Sequence, residues 1–103
     1  MGGGMLVRDG WANKKRVSNR PCKCGSWSQH WLNFSAQSWP RHCSKSGCTN
    51  NPIQGAHIYN PDVEGDNIVP LCDACNKFEG TFSLNKDVAL VSANKGYTCE
   101  IVW

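Results

Sequence analysis

Residues 67–80 of this chain read NIVPLCDACNKFEG, and residues 43–48 read CSKSGC. The two stretches contain two close pairs of cysteines, spaced C-x4-C and C-x2-C: Cys43, Cys48, Cys72 and Cys75. Two such pairs, when folding brings them together, supply the four thiolates of a tetrahedral structural zinc site. Because four sulfurs leave no coordination position for water, we expect the zinc ion to stabilise the fold and to take no part in chemistry.

Three cysteines lie outside these pairs: Cys22, Cys24 and Cys99. The first two have a C-x-C spacing, and with His30, His42 or Cys99 they could form a second metal site. The simpler interpretation, which we favour, is that Cys99 is a core strand residue and that the C-x-C pair is partly exposed. The spacing also leaves open an exchange of ligands in which Cys24 replaces Cys43.

The length of 103 residues predicts a single domain, residues 1–103, with a modest core, and we expect residues 1–4 to be disordered. Seven cysteines are an odd number, and no apolar run follows the N-terminus, so a secreted disulfide framework is disfavoured. Metal-bound thiolates fit a reducing compartment better. No apolar stretch reaches the length of a membrane span. We therefore expect a cytoplasmic protein that does not associate with membranes.

The charge of the chain is unevenly distributed. The first 48 residues contain eight Lys or Arg residues and one acid, whereas the remainder contains three Lys residues and seven acids. A basic half can attract phosphate backbones, although the two halves can also neutralise each other across the fold. The candidate nucleic-acid-binding residues are in the basic stretch after Trp11: Lys14, Lys15, Arg16 and Arg20.

Local patterns predict an α+β fold with short β-hairpins and short helices. Trp27, Trp31 and Phe34 recur at helical spacing after a possible N-cap at Ser26, which predicts a helix over about residues 27–37 with its aromatic side chains on the core. A second helix is predicted over about residues 73–79, with Asp73 as its cap.

Strands are predicted at 53–58 and 68–71, where Pro70 indicates an edge position, and the intervening stretch 59–66 has the composition of a loop. A C-terminal hairpin is predicted from 88–91 and 97–103, and a short strand at 5–7. The polar, basic stretch 11–20 is predicted to be a loop or an arm.

The segments GAHI (55–58) and DNIVPLCDACN (66–76) resemble the ββα-metal motif of HNH nucleases in its zinc-bearing form. The resemblance covers about residues 43–80 and implies a treble-clef arrangement, in which zinc holds a knuckle to the start of a helix. The first histidine of the family motif corresponds to His57, the middle asparagine to Asn67 and the final position to Asn76. The lysine that often follows the final position corresponds to Lys77.

The resemblance also implies a metal-dependent chemistry. His57 would activate water, Asn67 would hold the loop that orients it, and Asn76 would bind Mg²⁺ or another divalent cation at the phosphate. Many family members have an aspartate before the first histidine, but this chain has Ala56. One neutral amide is a weak ligand for magnesium. Glu79 could supply the missing carboxylate, with the loop acids Asp62 and Asp66 as weaker candidates.

We therefore expect a zinc-stabilised HNH-like module, catalytically silent or weak, that binds DNA or RNA, with a protein partner as a further possibility. The alternative is a metal-dependent HNH-type endonuclease that cleaves phosphodiester bonds with His57 as general base. A third hypothesis, a redox or metal-sensing protein that uses Cys22 and Cys24, ranks below both.

Overall fold

The computed structural model describes residues 8–14, 23–94 and 98. Within this part of the chain, the helices and strands follow the order β1 (Trp11–Asn13), α1 (Trp27–Ser35), β2 (Gln54–Asn60), β3 (Val63–Leu71), α2 (Asp73–Asn76), β4 (Thr81–Phe82) and β5 (Val91–Ser92). The strands form one antiparallel sheet with the order β4-β1-β2-β3-β5. This architecture confirms the predicted α+β class.

The β2–β3 hairpin is the longest feature of the sheet, and it includes most of the predicted loop at 59–66. That loop prediction is wrong, because only Pro61 and Asp62 separate the two strands. The Asn60 side chain closes the turn: its Oδ1 accepts a hydrogen bond from the Asp62 amide at 2.9 Å. Gly65 has a φ of +77°, which suits a residue without a Cβ, and the register shifts between Ile58 and Asn60.

The pairing of β2 with β3 determines which side chains share a side of the sheet. Residues opposite each other in an antiparallel pair project to the same side, and the sides alternate along each strand. One side therefore carries four residues of the hairpin: Ala56, Ile58, Asn67 and Val69. The other side carries the four residues that alternate with them: Gly55, His57, Ile68 and Pro70.

α1 covers the side of the sheet that carries Gly55, which we call the α1 face. A Cβ atom at Gly55 would lie 2.6 Å from the backbone carbonyl carbon of Trp27, so the helix and the strand are in direct backbone contact. The Gly55 amide donates a hydrogen bond to the Ser28 hydroxyl at 3.0 Å. Glycine at position 55 is therefore what permits this close approach.

α2 contacts the opposite side, which we call the α2 face. Asn13 of β1 pairs with Ile58 and so projects to this side. Its Nδ2 donates hydrogen bonds to the carbonyl oxygens of Cys75 at 2.8 Å and of Phe78 at 3.0 Å. The two helices thus lie on opposite faces of one sheet.

α1 begins as predicted, with Ser26 as its N-cap: the Ser26 hydroxyl accepts a hydrogen bond from the Gln29 amide at 3.0 Å. It ends at Ser35, two residues earlier than predicted, because Ala36 adopts a left-handed conformation with φ 60°. Trp31 is fully buried, but Phe34 is 44% exposed. The expectation that Phe34 packs on the core is therefore wrong.

The second helix is shorter than the predicted 73–79, since α2 ends at Asn76. Its N-cap is Cys72 and not Asp73, because the Cys72 sulfur accepts a hydrogen bond from the Cys75 amide at 3.4 Å. Asp73 occupies the first helical turn and forms an exposed ion pair with Lys77 at 3.0 Å.

β1 lies inside the predicted loop at 11–20, so that prediction is wrong for Trp11–Asn13. This strand pairs with both β2 and β4, and Trp11 is fully buried. The Arg8 side chain anchors the chain just before β1, because its guanidinium donates hydrogen bonds to the carbonyl oxygens of Asn85, Lys86 and Val88.

At the other edge, β5 covers Val91–Ser92 and pairs with β3 only at Asn67 and Ile68. Pro70 lies beyond these pairs, where β3 has β2 as its neighbour. The predicted strand at 5–7 and, apart from residue 98, the predicted strand at 97–103 lie outside the described residues, as do residues 1–4.

Replacing Gly55 with alanine is expected to lower the free energy of unfolding by about 1–3 kcal/mol, because the added methyl group would meet the Trp27 and Ser28 backbone. Urea denaturation followed by tryptophan fluorescence measures this change. Gly80→Ala is the matched control, since the atoms nearest to a Cβ there belong to the ring of the exposed Phe78, which can move, and not to backbone. Equal unfolding midpoints for the two variants would contradict the close contact at Gly55.

Candidate metal centre

The four cysteines that the spacing predicted lie together on one side of the fold. Their sulfur atoms are all within 4.8 Å of one another, and we call this cluster the four-cysteine cage. The Cys48 sulfur is 3.9 Å from that of Cys72 and 3.6 Å from that of Cys75. Bonds of about 2.3 Å to a tetrahedral ion separate the sulfurs by about 3.8 Å, so the cage could hold a metal ion. Cys43, and not Cys24, is the fourth member of this cluster.

The two pairs of cysteines belong to different structural elements. Cys43 and Cys48 flank a tight turn in which the Cys48 amide donates to the Lys45 carbonyl at 3.0 Å. Gly47 has a φ of +83°, a left-handed conformation that suits a residue without a Cβ. The second pair lies where β3 meets α2, with Cys72 as the helix cap and Cys75 within the helix.

Amide groups point at the sulfurs of the cage. The Cys72 amide lies 3.3 Å from the Cys43 sulfur, and the Cys75 amide lies 3.4 Å from the Cys72 sulfur. The side-chain amide of Asn50 adds a third donor, 3.6 Å from the Cys72 sulfur. Donors of this kind stabilise thiolate charge next to a metal ion. Asn50 was missed by the sequence analysis, and its position two residues after Cys48 is the only signal that could have indicated it.

The surroundings of the cage shift the pKa values of its thiols in different directions. Burial opposes ionisation of Cys72, but the Cys75 amide, the Asn50 amide and neighbouring thiols together lower the pKa of Cys72 to about 6. Burial raises the pKa of Cys43, and burial with the neighbouring thiols raises the pKa of Cys75 far above its usual range. Without a metal ion, Cys72 therefore ionises more readily than Cys43 or Cys75, and binding a cation displaces the protons of these two thiols.

The three residues that the resemblance assigns to catalysis do not share one face of the sheet. His57 projects to the α1 face, where its ring lies 4.5 Å from the Trp27 ring at an interplanar angle of 80°. Asn67 is buried on the α2 face. Asn76 is the last residue of α2, and its amide donates to the Cys72 carbonyl at 2.9 Å. Their catalytic roles stay predictions.

The acids that could replace the missing family aspartate belong to three different segments: the hairpin turn, β3 and the chain after α2. Ala56, which occupies the position of that aspartate, is 3% exposed and projects to the α2 face. Glu79 is exposed in the chain after α2, and Asp62 is exposed in the hairpin turn. Asp66 is partly buried, and its carbonyl accepts a hydrogen bond from the Ala93 amide.

A shallow groove of about 550 Å³ lies between β1 and the chain after α2, and we call it the Tyr59–Phe78 groove. Tyr59 and Phe78 line it, and these rings are 42% and 40% exposed. The Lys14 ammonium lies 5.5 Å from the centre of the Tyr59 ring, and the Lys45 ammonium lies 3.9 Å from that of Phe78. Glu79 also lines the groove.

Of the predicted nucleic-acid-binding residues, Lys14 thus lies at this groove, whereas Lys15, Arg16 and Arg20 lie outside the described residues. The aromatic members of the groove were missed by the sequence analysis. Tyr59 and Phe78 are far apart in the chain, and no local pattern joins them.

Comparisons of the chain with protein-family models, with curated proteins and with solved structures returned no match. Among residues 8–14, 23–94 and 98, no helix combines the length and the apolar character needed to cross a membrane. The function therefore has to be inferred from the geometry of the chain's own residues.

Proposed function

We propose that this chain is a zinc-stabilised HNH-like module that binds nucleic acid and has little or no nuclease activity. Zinc is the ion that best suits four thiolates in a tetrahedral arrangement, and the cage sulfurs have the separations that such an ion requires. A treble-clef arrangement of the knuckle, hairpin and α2 is part of the same proposal. Mass spectrometry of the purified protein measures the metal content of the cage.

The Tyr59–Phe78 groove is the observation that carries the proposed binding activity. Each of its two exposed aromatic rings has a lysine ammonium nearby. Aromatic faces stack on nucleic-acid bases, and neighbouring lysines neutralise the phosphates between those bases. The basic residues Lys15 and Arg16 follow Lys14 directly in the sequence. A protein ligand would not require this alternation of rings and cations.

The surroundings of His57 favour binding over cleavage. A general base must reach the water that a phosphate-bound cation holds. The His57 ring packs against Trp27 on the α1 face, whereas Asn67 lies on the α2 face and α2 contacts that same face. Ala56 adds no carboxylate for the cation. A single catalytic cation would therefore have to serve His57 on the α1 face and Asn67 on the α2 face.

Fluorescence anisotropy with a labelled 20-nucleotide oligomer tests the binding activity. Tyr59→Ala is expected to weaken binding by about 5–150-fold, because stacking on one ring contributes about 1–3 kcal/mol. Lys14→Ala is expected to weaken binding of all sequences and to lower the salt slope by about one phosphate contact. Phe34→Ala and Lys86→Ala are the controls, since both residues are exposed and neither lines the groove.

Three outcomes would contradict the proposal. Equal affinities for Tyr59→Ala and Phe34→Ala would exclude the groove as the binding surface. No binding of DNA or RNA at low salt would leave a protein partner as the ligand. Cleavage of the oligomer with Mg²⁺ or Mn²⁺ that is lost in a folded His57→Ala variant would establish the endonuclease instead.

A further inference from the structure

A second pair of metal-binding side chains lies apart from the four-cysteine cage, where the chain enters α1. The Cys24 sulfur, in the turn before the helix, is 3.9 Å from Nδ1 of His30, which is in α1. The Cys24 side chain is partly exposed, whereas His30 is fully buried. Neither residue has a part in the proposed nucleic-acid binding, so this pair requires an explanation of its own.

The orientation of His30 is set by its other ring nitrogen. Nε2 lies 2.9 Å from the carbonyl oxygen of Ser92 in β5. A carbonyl oxygen only accepts, so Nε2 carries the hydrogen. In the neutral ring, Nδ1 then presents its lone pair towards Cys24. The Trp27 ring, with its centre 4.9 Å away, and the Phe34 ring, 5.2 Å away, hold the imidazole between them.

These features are those of a metal-ligating histidine. Such a histidine almost always donates its second ring N–H to a carbonyl or a carboxylate, which fixes the tautomer and the ring orientation. Zinc bonds of about 2.3 Å to sulfur and about 2.0–2.1 Å to nitrogen, at a tetrahedral angle, separate the two ligand atoms by about 3.6 Å. The observed 3.9 Å equals the Cys48–Cys72 sulfur separation within the cage.

We propose that Cys24 and His30 are two ligands of a second metal site, which takes a thiophilic divalent cation such as Zn²⁺. The site combines thiolate and imidazole ligands, whereas the cage has thiolates alone. Solvent at the partly exposed Cys24 supplies the other coordination positions. Because His30 also holds the Ser92 carbonyl, a metal ion here links the turn before α1 to the edge strand β5. The site is independent of nucleic-acid binding.

Metal stoichiometry tests this second site. The full chain is purified without chelator, and zinc is measured by elemental analysis against protein concentration. We expect two zinc ions per chain in the wild type and one in Cys24→Ser. His30→Gln is also expected to hold one, because the glutamine amide can still donate to the Ser92 carbonyl but has lost the Nδ1 ligand. His42→Gln, which alters an exposed histidine away from the pair, is the control and keeps two.

A measurement on the wild type covers the case in which these variants do not fold. The zinc-loaded chain is treated with iodoacetamide, and the alkylated cysteines are identified by mass spectrometry. We expect Cys24 to be protected until a chelator is added. One zinc ion per chain in the wild type, two in a folded Cys24→Ser variant, or rapid alkylation of Cys24 in the zinc-loaded protein would each overturn the proposal.

Discussion

Removing the metal ion from the four-cysteine cage is expected to unfold the protein at neutral pH. Structural zinc in small folds contributes about 10–16 kcal/mol, which is as large as the whole free energy of unfolding of a small domain, about 5–15 kcal/mol. The cage joins the knuckle at Cys43–Cys48 to the start of α2. Circular dichroism before and after addition of a strong chelator measures the loss of structure.

A chelator also removes metal from any other site, so ligand variants are needed to separate the contributions. Cys48→Ser alters the most exposed cage ligand and is expected to abolish the cooperative thermal transition or to lower its midpoint strongly. Cys24→Ser leaves the cage intact and is the matched control. A Cys48→Ser protein with the thermal midpoint and metal content of the wild type would show that the cage does not hold a structural ion.

Replacing Trp31 with alanine is expected to lower the free energy of unfolding by about 3–5 kcal/mol, the typical cost of removing a buried tryptophan side chain. Trp31 is fully buried, and its Nε1 donates a hydrogen bond to the Ala89 carbonyl at 2.9 Å. The substitution therefore creates a cavity and also leaves the partly buried Ala89 carbonyl without this donor. Urea denaturation of the metal-loaded protein gives the change in free energy.

Phe34→Ala is the matched control for Trp31→Ala, because it removes an aromatic ring from the same helix. Phe34 is 44% exposed, so its removal is expected to cost less than about 1 kcal/mol. Similar losses of stability for both variants would mean that α1 is not packed through Trp31.

The parts of the fold that could be predicted from the sequence are those set by short-range chemistry. The two cysteine pairs predicted the cage, because each pair is defined by a short spacing that is typical of metal-binding thiolates. The start of α1 followed from Ser26, whose hydroxyl caps the helix by a local hydrogen bond.

The errors arose where distant partners override local composition. Asn60, Pro61 and Gly65 have the composition of a loop, yet the long hairpin needs only two turn residues, because an asparagine closes the turn and a glycine accommodates the irregular backbone. β1 is too short to show a periodic pattern, and its partners are β2 and β4. Phe34 follows the helical spacing, but it lies in the last turn of α1 and stays 44% exposed.

The candidate sites likewise divide into one that local spacing predicted and others that depend on tertiary contacts. Spacing located the cage, but the side of the sheet that His57 faces depends on the register of β2 against β3, which composition does not reveal. The Tyr59–Phe78 groove joins residues from three separate segments of the chain. The Cys24–His30 pair was one of several combinations open at the level of sequence, and the hydrogen bond from His30 to Ser92 distinguishes it from the others.

The position of β1 between β2 and β4 affects how the protein can fold and how it can be shortened. The sheet is complete only when β1 pairs with β2 and β4, which lie much later in the sequence. Such non-local pairing slows folding. A fragment limited to residues 43–80 would leave the β2 edge with unpaired amide and carbonyl groups, which promote association between chains. We therefore expect a fragment of residues 43–80 to associate with other copies of itself, whereas in the full chain β1 pairs with the β2 edge and covers it.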